Sequence, residues 1–325
     1  MKFDVYCLGH AIMDVLVDIS EDELLNFDFE KGTMALIKEY QLMPILEKLN
    51  HLPKNNQPAG SAANTAMAVA SLGGKSVFTG VVGNDEHGRE YARLLAQRGV
   101  HTRIVAESAT TGRCICLITP DSQRTMATFL GASQAVRKEH VDEQLLKESR
   151  FLHIEGFQWN LPEQKEATLH AIRLAKKHGV KVSFDLADPL LVAEHREEFK
   201  RLISEHVDIA FANEDEAFAL TELPVEKGLK KMGELAEIAA VKLAANGSLI
   251  RQNGKTHVIN GFKAKAVDST GAGDVYAAGV LYGLSKGLGI EKAGKLGSFL
   301  GARIVEQYGA SFRQPVREKA KRFLG

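Results

Sequence analysis

Several features are scarce or missing in this sequence of 325 residues, and each absence excludes a class of protein. The three cysteines do not make a disulfide framework. Lys plus Arg and Asp plus Glu number 41 each, so net charge indicates no basic face and we expect no nucleic-acid partner. Because no stretch of about 18 or more apolar residues occurs, we expect no membrane span.

The remaining composition is that of an ordinary globular protein. Hydrophobic residues make up 45% and charged residues 25% of the chain, which suits one large domain, alone or with a small one. Residues 1–5 lack the apolar core of a signal peptide. The missing signal-peptide core and the small number of cysteines together predict a protein of the reducing cytoplasm.

Strands and helices alternate along most of the chain. The predicted strands, which are short continuous apolar runs, are 3–8, 76–82, 151–154, 180–184 and 209–212. The predicted helices are 62–72, 88–98, 163–178 and 193–206. This alternation predicts an α/β fold with a mostly parallel sheet that is covered on both faces.

Two segments, 14–38 and 101–129, break this alternation. The second contains the runs 113–119 and 124–129, which are separated by the turn Pro120-Asp121-Ser122-Gln123. We interpret both segments as a small antiparallel sheet that covers the main site as a lid. Residues 1–13, 39–100 and 130–325 then form the α/β core. An extension of the edge of the main sheet is the alternative.

Cys114 and Cys116 lie two residues apart in an apolar run within the second segment. Alternate residues of a strand point to the same face, so the two side chains are predicted to share one face. We interpret them as small apolar side chains rather than as metal ligands.

The most informative stretch, residues 268–281, is a turn of small residues that leads directly into an apolar helix. Gly271 and Gly273 allow the backbone to approach a ligand closely, and the first amides of a helix attract anions. Asp274 stands at the junction. A carboxylate there fits an anion that is transferred nearby while a proton is accepted. The alternative is an acid that stabilises the helix dipole by about 0.3–1 kcal/mol.

Two common nucleotide-binding patterns are missing. Gly73-Gly74-Lys75-Ser76 looks like the end of a P-loop, but that pattern requires glycine where this chain has Val69. No Gly-x-Gly-x-x-Gly follows the first strand, which argues against a nicotinamide-dependent oxidoreductase. The anion site therefore belongs to another nucleotide-binding design.

Three spaced motifs resemble the ribokinase (PfkB) family of carbohydrate and nucleoside kinases. They are Gly60-Ser61-Ala62-Ala63-Asn64, Asn213-Glu214-Asp215-Glu216 and Asp268-Ser269-Thr270-Gly271-Ala272-Gly273-Asp274. The resemblance covers essentially the whole chain. It implies a ribokinase-like three-layer α/β/α fold with a small β-sheet lid, ATP and Mg²⁺ as cofactors, and a K⁺ site near the Asp268 loop and residues 308–311. Segments such as 124–132 and 154–159 are similar to the adenosine-kinase-like branch.

The resemblance implies a role for each motif residue in in-line phosphoryl transfer. Asp274 would be the catalytic base, and the amides of Gly271, Ala272 and Gly273 would form the anion hole for the transferred group. A degraded motif would instead indicate a catalytically silent sensor, but Asp274 and these three residues are all present.

The acceptor would bind between the first motif and the lid. Asp14 would accept hydrogen bonds from a vicinal diol. Gly60 and Ser61 would bring backbone against the sugar, and Asn64 would bond a hydroxyl. Arg124 reaches into the closed site or is a solvated turn residue, and the sequence leaves both alternatives open.

The nucleotide and its metal would lie on the other side of Asp274. The resemblance implies that Glu216, with Asn213, organises Mg²⁺ and its waters. It assigns the remaining nucleotide-binding positions to Lys242, Gly247, Asp268 and Thr270. Family members often carry glycine where this chain has Ala244, and the added methyl group could narrow the adenine pocket or shift its backbone.

The favoured acceptor is the 5′-hydroxyl of a nucleoside, adenosine first, and the alternative is a sugar such as ribose or fructose. A nucleoside needs apolar walls around its base, and the candidates are Leu36, Phe129, Phe157 and Trp159. Their alternative is ordinary packing. Lid strands pair between subunits in some family members, so we expect a monomer or a homodimer through the lid.

Overall fold

Two β-sheets organise the chain. The structure is a computed structural model, and it describes residues 1–121, 123–314 and 316–324. The strands in these ranges are β1 Phe3–Leu8, β2 Ile12–Asp18, β3 Met34–Leu36, β4 Asn55–Ala59, β5 Ser76–Gly83, β6 His101–Glu107, β7 Gly112–Ile118, β8 Arg124–Phe129, β9 Ser149–Glu155, β10 Lys181–Asp185, β11 Ile209–Asn213, β12 Ile238–Lys242, β13 Gly247–Gln252 and β14 Lys255–Asn260.

Helices separate most of these strands. They are α1 Glu21–Leu24, α2 Glu39–Lys48, α3 Ser61–Ser71, α4 Glu86–Gln97, α5 Glu143–Lys147, α6 Pro162–Lys177, α7 Pro189–Glu194, α8 Arg196–His206, α9 Glu214–Thr221, α10 Val225–Leu235, α11 Ala272–Ser285, α12 Ile290–Ile304 and α13 Arg317–Leu324. None of the helices in the described ranges has the length and apolar character that a membrane crossing requires.

The large sheet has the strand order β14-β13-β12-β11-β10-β9-β1-β5-β6. The strands from β12 to β6 are parallel, and β13 and β14 extend the sheet as an antiparallel edge. From β1 the chain runs to β5 and β6 on one side and later to β9 and beyond on the other. The strand order therefore reverses between β1 and β9, and ligands of open α/β sheets bind at the carboxyl ends beside such a point.

Helices cover both faces of the large sheet. One buried cluster joins it to α3, α4, α11 and α12. A second cluster joins the opposite face to helices α5 to α10. The predicted three-layer α/β/α fold is thus confirmed. The predicted helix over 193–206 is two helices, α7 and α8, which meet at His195.

The small sheet, which we call the lid, has the strand order β3-β8-β7-β2-β4. It is mixed rather than antiparallel, because β2 pairs with β7 and β3 pairs with β8 in parallel. Its predicted boundaries need correction. Residues 101–107 form β6 at the edge of the large sheet, which is the alternative that the sequence left open. Residues 55–59 form β4 of the lid.

These differences have sequence causes. β6 follows α4 and pairs in parallel with β5, so it adds one strand to the large sheet and continues the α/β alternation. β4 reads Asn-Asn-Gln-Pro-Ala and has no apolar alternation to mark it as a strand. Ser122, part of the predicted turn between β7 and β8, lies outside the described residues.

The two faces of the lid differ in character. Met13, Val15 and Val17 of β2 lie on one face and join the cluster that includes Leu42 and Ile45 of α2. We call the opposite face the inner face; it carries Asp14 and Leu16 of β2, Cys114, Cys116 and Ile118 of β7, and Arg124 and Met126 of β8. Tyr308 packs against this face. The two cysteines share one face of β7, as their spacing predicts.

Helices α11 and α12 pack with their backbones almost in contact, and this fixes the helix that carries Asp274. A Cβ atom at Gly279 would lie only 2.6 Å from the Cα atom of Gly297. We therefore expect Gly279→Ala to lower the free energy of unfolding by about 1–3 kcal/mol through overpacking, measured by urea denaturation.

The matched control for that variant is Gly289→Ala at the start of α12. A Cβ atom there would have no heavy atom of the described residues within 4 Å, and the backbone φ is −65°. We expect a loss below about 1 kcal/mol from the changed N-cap. Equal losses in the two variants would contradict the close packing of α11 on α12.

Candidate active site

A cleft of about 1390 Å³ opens at the carboxyl ends of the parallel strands. Its walls come from the start of α3, the ends of β10, β11 and β12, the segment after β14, and the turn that leads into α11. The lining includes Ser61, Asn64, Phe157, Asp185, Ala187, Asn213 to Glu216, Lys242, Ala244, Gly247, Gly261 to Ala264, and Ser269 to Asp274.

Asp274 lies where the N-terminal ends of α3 and α11 meet. Its Oδ1 accepts a hydrogen bond from Ser61 Oγ at 2.6 Å, and its Oδ2 accepts one from Asn64 Nδ2 at 2.8 Å. Thr65 Oγ1 donates to its backbone carbonyl at 3.1 Å. Burial raises the pKa of Asp274, although Ser61 and Asn64 oppose the shift. A carboxylate with a raised pKa is a stronger proton acceptor.

The turn before α11 presents free amides to the cleft. Gly271 has φ 73°, and a Cβ atom there would lie 2.3 Å from Cβ of Ala310, so only glycine fits. The Ala272 amide donates to the carbonyl oxygen of Ser269 at 3.2 Å. The amides of Gly271 and Gly273 have no acceptor among the described residues, and they are the open part of the predicted anion hole.

Lys242 supplies positive charge beside these amides. Its Nζ donates to both carboxylate oxygens of Asp185, at 2.8 and 3.1 Å. Burial lowers the pKa of Lys242, but Asp185 and Glu216 outweigh it and hold the pKa above its usual range. A Cβ atom at Gly273 would lie 3.1 Å from Nζ, so the glycine leaves room for the ammonium group.

Asn213 and Glu216 form a capping box at the start of α9. The backbone and side-chain amides of Asn213 each donate to one carboxylate oxygen of Glu216 at 2.7 Å, and the Glu216 amide donates back to Asn213 Oδ1 at 2.8 Å. Burial raises the pKa of Glu216 to about 7. Asp188 caps α7 in a similar way, because its side chain accepts bonds from the Leu190 and Leu191 amides.

Asp14, Arg124 and Asp268 lie together between the lid and the α11 turn, and none of them is among the residues that line the cleft. Arg124 Nη1 is 2.6 Å from Asp268 Oδ2, and Arg124 Nη2 is 3.7 Å from Asp14 Oδ2. Asp268 also accepts bonds from the Thr270 and Gly309 amides. Arg124 is therefore a buried bridge and not a solvated turn residue.

The pKa values of the two buried aspartates shift in opposite directions. Burial raises the pKa of Asp14 to about 6; Arg124 opposes the shift and Asp268 adds to it. Burial also raises the pKa of Asp268, but Arg124 and the amides of Gly309 and Thr270 outweigh it and hold the pKa below its usual range. Asp268 therefore carries the charge that pairs with Arg124.

Glu155 is a buried acid near Asp274 that the sequence did not single out. It ends β9, is 1% exposed, and its Oε1 accepts a bond from the Ala62 amide at 3.0 Å. Its Oε2 has no partner among the described residues. Burial, together with the charge of Asp274, raises the pKa of Glu155 to about 8. Gly60, with φ 110°, is the N-cap residue of α3 and directly precedes Ser61.

Asp185 was missed as well, and the same signal could have found both acids. Each is the last residue of a buried parallel strand, and such residues point into the ligand-binding edge of the sheet. Ala187 and Ala244, which also line the cleft, have φ values of 73° and 47°. The family's frequent glycine at position 244 is thus replaced by a residue held in a left-handed conformation, beside Gly247 with φ 95°.

The four candidate walls of a base pocket are dispersed. Phe157 lines the cleft. Trp159 is buried in the core against Phe184 and Phe199, with ring centroids 5.8 and 5.3 Å away. Leu36 is 65% exposed on β3, and Phe129 packs partly buried against the core that includes β2 and β7. The four residues do not belong to one strand or one helix. Their spacing in the sequence therefore does not predict which of them face the cleft.

The raised pKa of Glu155 predicts a pH-dependent stability. The folded protein holds this proton up to about pH 8, whereas the reference pKa is 4.5. The folded state therefore binds more protons between these values, and the free energy of unfolding falls as the pH rises through this window. We expect Glu155→Gln, which cannot ionise, to gain stability over the parent protein between pH 5.5 and 8.5, measured by urea denaturation.

The control is Glu163→Gln, which removes an exposed carboxylate from the first turn of α6. Its difference from the parent protein should stay nearly constant over the same pH range. A constant difference for Glu155→Gln as well would show that Glu155 does not bind a proton on folding.

Comparisons with known proteins identify the family of this chain. Residues 49–317 match the model of the pfkB family carbohydrate kinase. A 5-dehydro-2-deoxygluconokinase from Listeria monocytogenes serotype 4b (strain CLIP80459) is 30% identical over 279 residues, which cover 82% of this chain and 86% of the relative.

Two solved structures are similar over nearly their whole length. A probable sugar kinase from Rhizobium etli CFN 42 has a TM-score of 0.90 and 32% identity, and the match covers 99% of this chain and 98% of that one. The adenosine kinase from Sinorhizobium meliloti has a TM-score of 0.89 and 31% identity, and the match covers 99% of both chains. The chain therefore belongs to the pfkB family of carbohydrate kinases and is a phosphotransferase that acts on an alcohol group.

Proposed function

We propose that this kinase transfers the γ-phosphoryl group of ATP to a hydroxyl of a sugar or sugar acid, with Asp274 as the base. The placement of the aromatic side chains carries the choice of acceptor. A nucleoside base needs flat apolar walls, yet of Leu36, Phe129, Phe157 and Trp159 only Phe157 lines the cleft. The other aromatic side chains of the lining, Phe262 and Tyr276, belong to the segment after β14 and to α11, away from the lid. The Listeria relative, a 5-dehydro-2-deoxygluconokinase, supports an acceptor of the sugar class.

The acceptor hydroxyl would lie beside Asp274 at the start of α3. Asn64 donates its Nδ2 to Asp274, and its buried Oδ1 has no partner among the described residues. This oxygen can accept a bond from a second hydroxyl of the acceptor. Ser61 and Asn64 fix the carboxylate of Asp274, so it meets the acceptor in one orientation. Asp274 would take the hydroxyl proton as the oxygen bonds to phosphorus.

The transferred group would bind at the N-terminus of α11. The free amides of Gly271 and Gly273 and the ammonium group of Lys242 converge on this point. These donors are in place before the reaction, because Asp185 holds Lys242 and Asp268 holds the Thr270 amide. Charge that develops on the phosphoryl oxygens is therefore stabilised without rearrangement.

The acidic end of β11 fits a hydrated Mg²⁺ that accompanies the nucleotide. Each oxygen of Glu216 already accepts a bond from Asn213, so these residues would hold the ion's waters rather than ligate it directly. Bound there, Mg²⁺ would neutralise phosphate charge. A K⁺ site near the Asp268 loop and a homodimer through the lid stay predictions.

A nucleoside is the second candidate acceptor. The adenosine kinase from Sinorhizobium meliloti is 31% identical to this chain, and the probable sugar kinase from Rhizobium etli is 32% identical. The two relatives are thus almost equally similar to it. Phe157 could stack on one face of a base at the cleft wall.

The assignment of the base predicts the effect of one substitution. We expect Asp274→Asn to lower kcat by at least about 100-fold, because it removes the proton acceptor but keeps the side-chain shape. Release of ADP in a coupled assay measures turnover. Glu163→Gln, which removes an exposed carboxylate outside the cleft, is the control and should stay within a few fold of the parent protein. Near-parental turnover in Asp274→Asn would refute the assignment.

The acceptor class predicts the outcome of a substrate panel. With ATP and Mg²⁺ we expect kcat/KM for the best sugar or sugar acid, 5-dehydro-2-deoxygluconate included, to exceed that for adenosine by at least about 100-fold. Substituting Phe157→Leu separates the two classes further. It should leave sugar turnover largely intact, whereas a selective loss with adenosine would indicate base stacking. A preference for adenosine would overturn the proposed acceptor.

A further inference from the structure

The inner face of the lid carries three potential metal ligands that the kinase reaction does not require as a set. Asp14 on β2 is directly opposite Cys114 on β7 in the parallel register, and Cys116 follows on the same face. The Cys114 and Cys116 sulfur atoms are 3.6 Å apart. The ligand atoms of all three residues lie within 4.8 Å of one another, and all three side chains are buried.

These separations are close to those of a tetrahedral thiolate site. Zinc binds thiolate sulfur at about 2.3 Å, so two sulfurs of one tetrahedral ion lie roughly 3.8 Å apart. The observed 3.6 Å is already near that value. A carboxylate oxygen on the same ion lies roughly 3.5 Å from each sulfur, and the observed separations are at most 4.8 Å, so Asp14 would move by about 1.3 Å at most. A water molecule would complete the fourth position.

Hydrogen-bond donors surround both sulfur atoms. Arg124 Nη2 donates to Cys116 Sγ at 2.8 Å, and Thr128 Oγ1 donates to Cys114 Sγ at 3.2 Å. Donors of this kind orient metal ligands and stabilise negative charge on them. Small apolar side chains at these positions would accept no hydrogen bonds. Packing alone therefore does not account for the two cysteines.

The charges around the cluster also favour a cation. Two carboxylates, Asp14 and Asp268, face the single guanidinium of Arg124 at 3.7 and 2.6 Å. With both thiols deprotonated, these five groups carry a net charge of −3, and a bound dication reduces it to −1. Arg124 Nη2, which bonds Cys116 and faces Asp14, would move away from the sulfur when a metal binds, while Nη1 can keep its bond to Asp268.

We propose that Asp14, Cys114 and Cys116 form a binding site for a thiophilic divalent cation of the zinc class. Binding releases the two thiol protons to solvent, so the affinity rises with pH. The resemblance implies that Asp14 accepts hydrogen bonds from the acceptor's diol, although Asp14 does not line the cleft in this structure. With that role, a metal bound to Asp14 competes with the acceptor and inhibits phosphoryl transfer, a consequence that rests on the proposed function.

Cadmium titration of the full chain tests the binding itself, without any substrate. We expect one equivalent of Cd²⁺ to produce the ultraviolet charge-transfer absorption of a cadmium–thiolate site after full equilibration, and Zn²⁺ to displace it. The double variant Cys114→Ser/Cys116→Ser should lose this absorption and bind Cd²⁺ at least about 100-fold more weakly.

The third cysteine of the chain provides a matched control. Cys7 lies buried in β1 of the large sheet, so Cys7→Ser should keep the full absorption. Asp14→Asn should keep both sulfur bonds but lose about 10-fold or more in affinity. Equal binding by the double variant and the parent protein, or no thiolate absorption in the folded parent protein, would overturn the site.

Kinetics then test the consequence. Micromolar Zn²⁺ should raise the KM for the acceptor and leave kcat nearly unchanged, and a zinc-selective chelator should reverse the effect. The double cysteine variant should keep the uninhibited rate and resist Zn²⁺. Equal inhibition of both proteins would overturn the inhibitory role. If no acceptor is phosphorylated at all, the proposed function fails, and the cadmium titration still decides the metal site.

Discussion

The site depends on one constraint, which is that two helix N-termini meet at a single carboxylate. Helix α3 contributes Ser61 and Asn64, and helix α11 contributes Asp274, which accepts a bond from each of them. The carboxylate thereby ties together two elements far apart in the chain. At the same junction the amides of Gly271 and Gly273 find no acceptor in the part of the chain that the structure describes. A proton acceptor and an anion site are therefore adjacent because of how the two helices pack, and the near-contact of Gly279 with Gly297 holds α11 in that position.

Most of the fold could be predicted from the sequence, because continuous apolar strands and helices with clear ends recur in order. The lid was harder. Residues 101–107 are an edge strand of the large sheet, and their alternating polar pattern resembles that of a lid strand. Strand β4 has too few apolar residues to be recognised, and pairing with β2 makes it a strand. Strand partners at this distance in the chain are set by tertiary contacts that a local pattern does not contain.

The candidate site likewise has residues that the sequence predicts and residues that it does not. The motif residues Ser61, Asn64, Lys242 and Asp274 line one cleft. Glu155 and Asp185 have no motif, and their importance follows from ending neighbouring parallel strands. Of the four candidate base walls, only Phe157 lines the cleft, for a related reason. Aromatic residues near a motif can point into the cleft or into the core, and Trp159 points into the core against Phe199.

The bridge between Arg124 and Asp268 has a thermodynamic consequence. Asp268 binds the lid through Arg124 and also anchors the Thr270 amide in the turn that leads to the anion site. Movement of the lid would therefore be coupled to the order of that turn, because both depend on Asp268. Linkage between such equilibria is reciprocal. If lid closure tightens phosphate binding by some factor, bound phosphate must favour the closed lid by the same factor, and each substrate shares in the energetic cost of enclosing the other.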